Sequence, residues 1–284
     1  MRAAQTDRSV PTHAGNISSF MKPFFALAIV AAAFRLISIH AAEPAPSAMS
    51  AAELADRLDA SSQGSALIRS KLEVRSLEGA KRVLQLQIKQ RRTKTTTDLV
   101  YQVLWPDEHK GEAVTLHQAQ GAAKGSIIVP QQPVRAIKAS QMNEGLFDSD
   151  LSYQDAVENF FAWKKQTVIG SETINGVNCQ ILESKQDSSS VSIYATVRSW
   201  IDPQRFVPMR IEKYSSSGEL VRRIDVTRVA RDEKHHPIPA SLTVHGPKKG
   251  SVTEFNGARI DQDVQFTDAD FTPAAIVKAA PPTP

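Results

Sequence analysis

The sequence predicts a mainly β protein: one long antiparallel sheet with a few short helices laid against it. Three observations carry this. From about residue 65 apolar residues recur at every second position, the period of a strand, rather than at the three-and-four spacing of a helix. Turn-forming clusters interrupt the chain at roughly the 8 to 12 residue spacing of all-β sandwiches and barrels. Most strand-like runs are apolar on one side and polar on the other, as in an antiparallel sheet with one face in water and one on an apolar interior. With few helices between the strands, the sheet must meander.

Residues 1–20 are polar and precede a second methionine, and from Met21 the chain reads "MKPFFALAIVAAAFRLISIHAAEPAPSA". Lys22, an apolar run from Phe24 to Phe34 and small residues at Ala41 and Ala42 have the layout of a secretory signal peptide. Arg35 interrupts the run, and a membrane span needs about 20 predominantly apolar residues. Residues 1–42 are therefore expected to be an extension and leader cleaved near Ala42, followed by a flexible linker over 43–49. In "SAAELADRLDA", Ser50 and Glu53 have capping-box spacing, with Leu54 and Leu58 four apart on one face, so a short amphipathic helix is expected.

The strands follow in order. In "RVLQLQIKQ" Leu84, Leu86 and Ile88 share a face opposite Gln85, Gln87 and Lys89; in "DLVYQVLW" Leu99, Tyr101, Val103 and Trp105 do the same. "GVNCQILES" alternates similarly, which makes Cys179 a small buried apolar residue rather than a nucleophile. The alternation returns in "SVSIYATVRSWID", where Trp200 falls opposite Val197 and is expected to be half exposed, and in "FVPMRIEKY", "LVRRIDVTRV", "PASLTVHG" and "GSVTEFNGARI". "LEGAK", "WPDEHKGE", "DPQRF", "SSSGE", "DEKHHP" and "GPKKG" are the turns between them. Residues 50–272 read as one domain, and the Ala- and Pro-rich end over 273–284 as a disordered tail.

Between the strands, "GLFDSDLSYQDAVENFFAW" (145–163) carries Asp148, Asp150 and Asp155 and then turns aromatic. Ser152 and Asp155 have capping-box spacing for a helix with Tyr153, Val157 and Phe160 on one stripe and Phe161 beside it, so the acids are read as caps favoured at a helix N-terminus. On that reading, removing Asp150 or Asp155 costs roughly 0.5–2 kcal/mol, the ordinary worth of a cap.

Composition excludes several functions. The chain has 284 residues and a net charge of +4, and loss of residues 1–42 leaves about +1, no footprint for nucleic acid. The basic run "KQRRTK" (89–94) reads as a solvated strand end, with anionic head groups or an acidic partner as the sharper alternative. The single cysteine allows no internal disulfide. His235 and His236 beside Asp232 and Glu233 diverge as neighbours in a polar turn and make no metal site. There is no G-x-S-x-G, phosphate-cradling glycine loop or dinucleotide fingerprint. No catalytic residue, metal or cofactor is expected.

"FDSDLSYQDAVEN", then "SWIDPQRFVPMRIEKYSSSGELVRRIDVTRV" and "HPIPASLTVHGPKKGSVTEF", resemble the outer-membrane lipoprotein-sorting proteins, the LolA-like family of bacterial periplasms, over roughly residues 65 to 272. The resemblance implies a strongly curved antiparallel sheet forming an incomplete, half-open β-barrel with a few covering α-helices. It also implies an apolar cavity for acyl chains, whose wall would be built from Leu84, Leu86, Ile88, Leu99, Tyr101, Val103 and Trp105, with Val157 and Phe160 from the covering helix. The function implied is a monomeric, non-enzymatic periplasmic carrier of lipid or lipoprotein acyl chains in outer-membrane lipoprotein sorting, meeting an envelope transporter or outer-membrane acceptor. The alternative is an accessory protein that docks onto an envelope transport machine, its core filled by its own side chains.

Overall fold

The structure, a computed structural model, describes residues 49–119, 121–186, 192–246 and 250–279. The expected leader and nearly all of the linker lie outside them. Helix α1 (Ala51–Ser62) starts at the expected capping box, Ser50 Oγ accepting the Glu53 N–H while Glu53 accepts the Ser50 N–H. Thirteen strands follow: β1 (Gly64–Arg75), β2 (Lys81–Arg92), β3 (Thr96–Trp105), β4 (Ala113–Ala119), β5 (Ala122–Ile128), β6 (Arg135–Ile137), β7 (Lys165–Ile174), β8 (Val177–Lys185), β9 (Thr196–Asp202), β10 (Val207–Tyr214), β11 (Leu220–Arg231), β12 (Pro237–His245) and β13 (Val252–Gln262). Two further α-helices lie among the described residues, α2 (Tyr153–Val157) and α3 (Pro273–Ala279).

All thirteen strands form one open sheet in the order β6-β5-β4-β3-β2-β1-β13-β12-β11-β10-β9-β8-β7. It consists of two antiparallel meanders, β1–β6 and β7–β13, sewn together where β1 pairs with β13 from Ala66 opposite Gln262 to Arg75 opposite Val252. The link from β6 to β7, residues 138–164, carries α2 and joins the two free edges. Its course requires the sheet to curl. The apolar side of α2 packs with Leu86 of β2 and Leu116 of β4, yet Asp155 of the same helix bonds Lys213 of β10 and Arg222 of β11. In a flat sheet six strand spacings, about 29 Å, would separate β4 from β11. A five-residue helix is about 7.5 Å long. The strands must therefore wrap round α2, which gives the incomplete barrel its inner face.

Period two distributes the core between the faces. Leu72, Leu84, Leu86, Leu99, Tyr101, Val103 and Leu116 meet Met142, Leu146, Tyr153, Ala156 and Val157 of the link on the inner side. Each large side chain so buried contributes about 1.5–3 kcal/mol. Nearer β8 and β9, Leu54, Ala55 and Leu58 of α1 pack on Leu182 and Ile201. The intervening residue Val100 points outward to Ala113, Ile128, Phe271 and Ile276.

Four expectations are corrected. α2 ends at Val157: Arg92 caps its Ala156 carbonyl, and the Asn159 amide is drawn to Asp59 of α1, so Phe160 starts a separate 3₁₀ turn and leaves the helical stripe. The tail expected from 273 begins instead with α3, whose Ile276 lies in the outer cluster. The basic run is occupied by the protein itself: Lys89 pairs with Asp270 and Arg91 with Asp98 and Asp268, fastening the C-terminal segment to the outer face. Trp200 is 6% exposed, because it packs with Cys179, Val207 and Met209 and its indole N–H donates to Glu172. Cys179 is fully buried as expected, and burial raises its thiol pKa.

Candidate functional site

The acids of the 145–163 segment are caps and more. Ser152 and Asp155 close the expected capping box. The Asp155 carboxylate, fully buried, also accepts from Lys213 Nζ at 2.8 Å, Arg222 Nε at 3.0 Å and the Tyr194 hydroxyl at 2.8 Å. Burial works to raise its pKa, but Lys213 and Arg222 outweigh burial and hold it at about 2. Burial, then Asp155, pushes the Tyr194 hydroxyl up. Glu158 lies beside the group; burial raises its carboxyl, and Gln154 donates to its Oε1. With Lys213 only 1% exposed, this cluster is closed to any substrate. It ties the link to β10 and β11.

Asp150 does the same for β13. It is buried and accepts from Thr253 Oγ at 2.8 Å and Ser251 Oγ at 2.6 Å, while its own N–H donates to Thr253 Oγ. It is an anchor, not the cap of α2. Asp150→Ala is expected to cost about 1–3 kcal/mol, the penalty for leaving buried hydroxyl donors unsatisfied. Urea unfolding measures it, and a change within experimental error would show that these bonds contribute nothing net.

The residues expected to form a cavity wall divide three ways. Leu84, Leu86, Ile88, Leu99, Tyr101, Val103 and Val157 come together in one buried cluster, and Met142, Leu146 and Tyr153 of the link occupy the space in front of them. Phe160 belongs to another cluster, with Tyr194 and Val197. Trp105 is 48% exposed at the end of β3.

Open apolar space lies elsewhere on the inner face. Leu58 of α1, Phe161, Phe206 of the β9–β10 turn, Pro208 and the Pro237-Ile238-Pro239 start of β12 line a pocket of about 560 Å³. That is within the usual size of small-molecule sites, roughly 300–1,000 Å³. Arg57 lies at its edge with its guanidinium 4.8 Å from the Phe206 ring centre. "DEKHHP" was correctly read as a turn, with Asp232 accepting the Lys234 and His236 N–H groups. The lining residue after it was missed. Counting back by twos from Val244 and Leu242 through Ala240 reaches Ile238, so the sequence held the signal.

A larger pocket, about 680 Å³, lies between β5, β6 and the link, but its lining mixes Arg82 and Arg135 with Glu112, Glu144 and Asp148. Val114, Ile127, Ile128 and Phe147 share that lining with the charged groups, so it is a more polar space than the pocket under α1. Among the described residues no group of three or more His, Cys, Asp or Glu is placed to hold a metal ion.

An open antiparallel barrel with a link threaded across its inner face and an apolar pocket under its first helix defines a LolA-like fold. Residues 96–278, more than half of the chain, match the family described as "-like: Uncharacterized protein", and the chain belongs to that family. Three solved structures share the fold. A DUF1329 family protein from Desulfovibrio piger superposes with a TM-score of 0.73 at 18% identity, covering 80% of this chain and 97% of that one. A putative outer membrane lipoprotein-sorting protein domain from Vibrio parahaemolyticus gives 0.72 at 16% identity, covering 80% and 98%. A LolA superfamily protein from Nitrosomonas europaea gives 0.63 at 18% identity, covering 80% and 99%. No curated protein matches the sequence. The resemblance read from the 147–159 motif and the later hairpins stands at the level of fold.

Proposed function

We propose that the protein is a non-enzymatic carrier of lipid or lipoprotein acyl chains, working in the periplasm in outer-membrane lipoprotein sorting. The observation that carries this reading is the apolar pocket between α1, Phe206 and Ile238. An acyl chain gains about 0.8 kcal/mol for each methylene it buries, so an apolar wall suffices for capture without a charged ligand or catalytic group. The fold relationship to a lipoprotein-sorting domain points the same way. The chain would lie in this pocket, and the Leu84, Leu86 and Leu99 wall would become available only if the link withdrew.

Ile238→Glu places a carboxylate against the chain, and burying one there costs several kcal/mol. Binding of a fluorescent fatty-acyl probe should weaken by about a hundredfold, with the melting temperature near that of the parent because Ile238 is only partly buried. Gln85→Glu, on an exposed position of β2, should bind as the parent does. The filling of the inner cluster by Met142, Leu146 and Tyr153 favours a second reading, the accessory protein docked on an envelope machine. A parent protein that binds no acyl probe would overturn the first reading and make the second the better one.

A further inference from the structure

We propose that the lipid carries an anionic, phosphate-type headgroup, its chain in the apolar pocket and its headgroup against two arginines of a smaller pocket beside it; this rests on the carrier reading above. The second pocket has a volume of about 160 Å³ and shares Asp232 and Ile238 with the first. Arg228 and Arg231 of β11 line it. Arg228 donates to Ser241 Oγ at 3.3 Å and to the Gly257 carbonyl at 3.2 Å, and Arg231 to the His235 carbonyl at 2.9 Å. All of these acceptors are neutral.

Among the described residues no carboxylate stands at ion-pair distance from either guanidinium, so both exposed arginines are oriented by neutral groups alone. The planar fork of an arginine matches a phosphate, and its charge-assisted bonds are about twice as strong as neutral ones. Two acids, Asp232 and Glu233, share the lining, but among the described residues neither is at ion-pair distance from Arg228 or Arg231. Asp232 is occupied by the Lys234 and His236 N–H groups and the Gln262 amide. Arg259, which also lines the pocket, is paired with Asp261. Arg57, one turn after Glu53 on α1, adds positive charge on the α1 side of the apolar pocket.

Titration calorimetry of the full chain, below the critical micelle concentration, compares a monoacylglycerol phosphate, the matching monoacylglycerol and inorganic phosphate. The phosphate lipid should bind about tenfold tighter than its uncharged counterpart, and added salt should narrow the difference. Arg228→Gln/Arg231→Gln should abolish the preference while leaving the uncharged lipid bound as before; the single variants carry the test if the pair unfolds. Equal binding of the two lipids, or a preference that survives in the variants, overturns the inference and leaves the carrier reading standing. Inorganic phosphate binding as tightly as the phosphate lipid would also overturn it, assigning the site to a free anion. If neither lipid binds, the carrier reading fails and the inference with it.

Discussion

Replacement of Asp155 by alanine should destabilise the protein by about 3–5 kcal/mol, the usual consequence of breaking a buried ion pair from one side. The cost far exceeds that of a lost helix cap. The variant leaves Lys213 and Arg222 inside the protein without the carboxylate that both of them bond. The Tyr194 hydroxyl and the Ser152 N–H lose their acceptor at the same time. Asp155→Asn, which preserves shape and part of the hydrogen bonding but not the charge, should recover only part of the loss. The pH dependence has a definite sign. The folded carboxyl titrates at about 2, below its ordinary 3.8, so its stabilisation is fully present above about pH 4 and disappears as the pH falls through 2. Urea unfolding of parent and variant between pH 2 and 7 measures both effects. A loss of about 1 kcal/mol, no more than a cap is worth, would show that the two cations find other partners.

Leu86→Glu should be equally severe and for a different reason. Leu86 is 1% exposed, opposite Ser70 on β1 and Val103 on β3, in the middle of the inner cluster. Shortening such a leucine to alanine costs about 2–5 kcal/mol, and a carboxyl in that space adds the penalty of burial without a partner. The expected result is a chain that does not fold at room temperature. Gln85→Glu, one residue away on the other face, should stay within about 0.5 kcal/mol of the parent. Circular dichroism and urea unfolding decide the matter. A stably folded Leu86→Glu protein would mean that water or a mobile link reaches the cluster. On the proposed function Leu86→Glu and Ile238→Glu should differ: the first should act on folding, and the second on acyl-probe binding.

The sheet was legible where a strand alternates clearly, as in β2, β3 and β8 to β13, whereas β1, β4, β5, β6 and β7 were not singled out. Leu84, Leu86 and Ile88 were assigned to one face by counting alone, and they are buried together there. What filled the space before them was not legible, since Met142 and Leu146 belong to a segment with no regular period. Trp200 was misjudged because its cover, Glu172 and Met209, lies on other strands. Phe160 was misplaced for a related reason. Local spacing continued the helix, and a tertiary bond from Asn159 to Asp59, a hundred positions away in the chain, stopped it. The buried role of Asp155 was hidden in the same manner. "SYQD" spells a capping box, but only the curled sheet brings Lys213 and Arg222 to the far side of the same carboxylate.

The seam between β1 and β13 has a kinetic consequence. Ser70 and Asn256 are 186 positions apart in sequence and are joined by a hydrogen bond, so the contacts that unite the two meanders are among the most distant the chain can make. Folding rates fall as contacts become more remote in sequence, because loop closure must precede any gain from pairing. The first meander can zip up as it emerges, through hairpins between neighbours. Its β1 edge stays open until the final strand arrives. During that interval an unpaired strand rich in Leu, Ile and Val is exposed to chance association with other chains, and the time spent waiting for β13 sets how much protection the growing polypeptide needs.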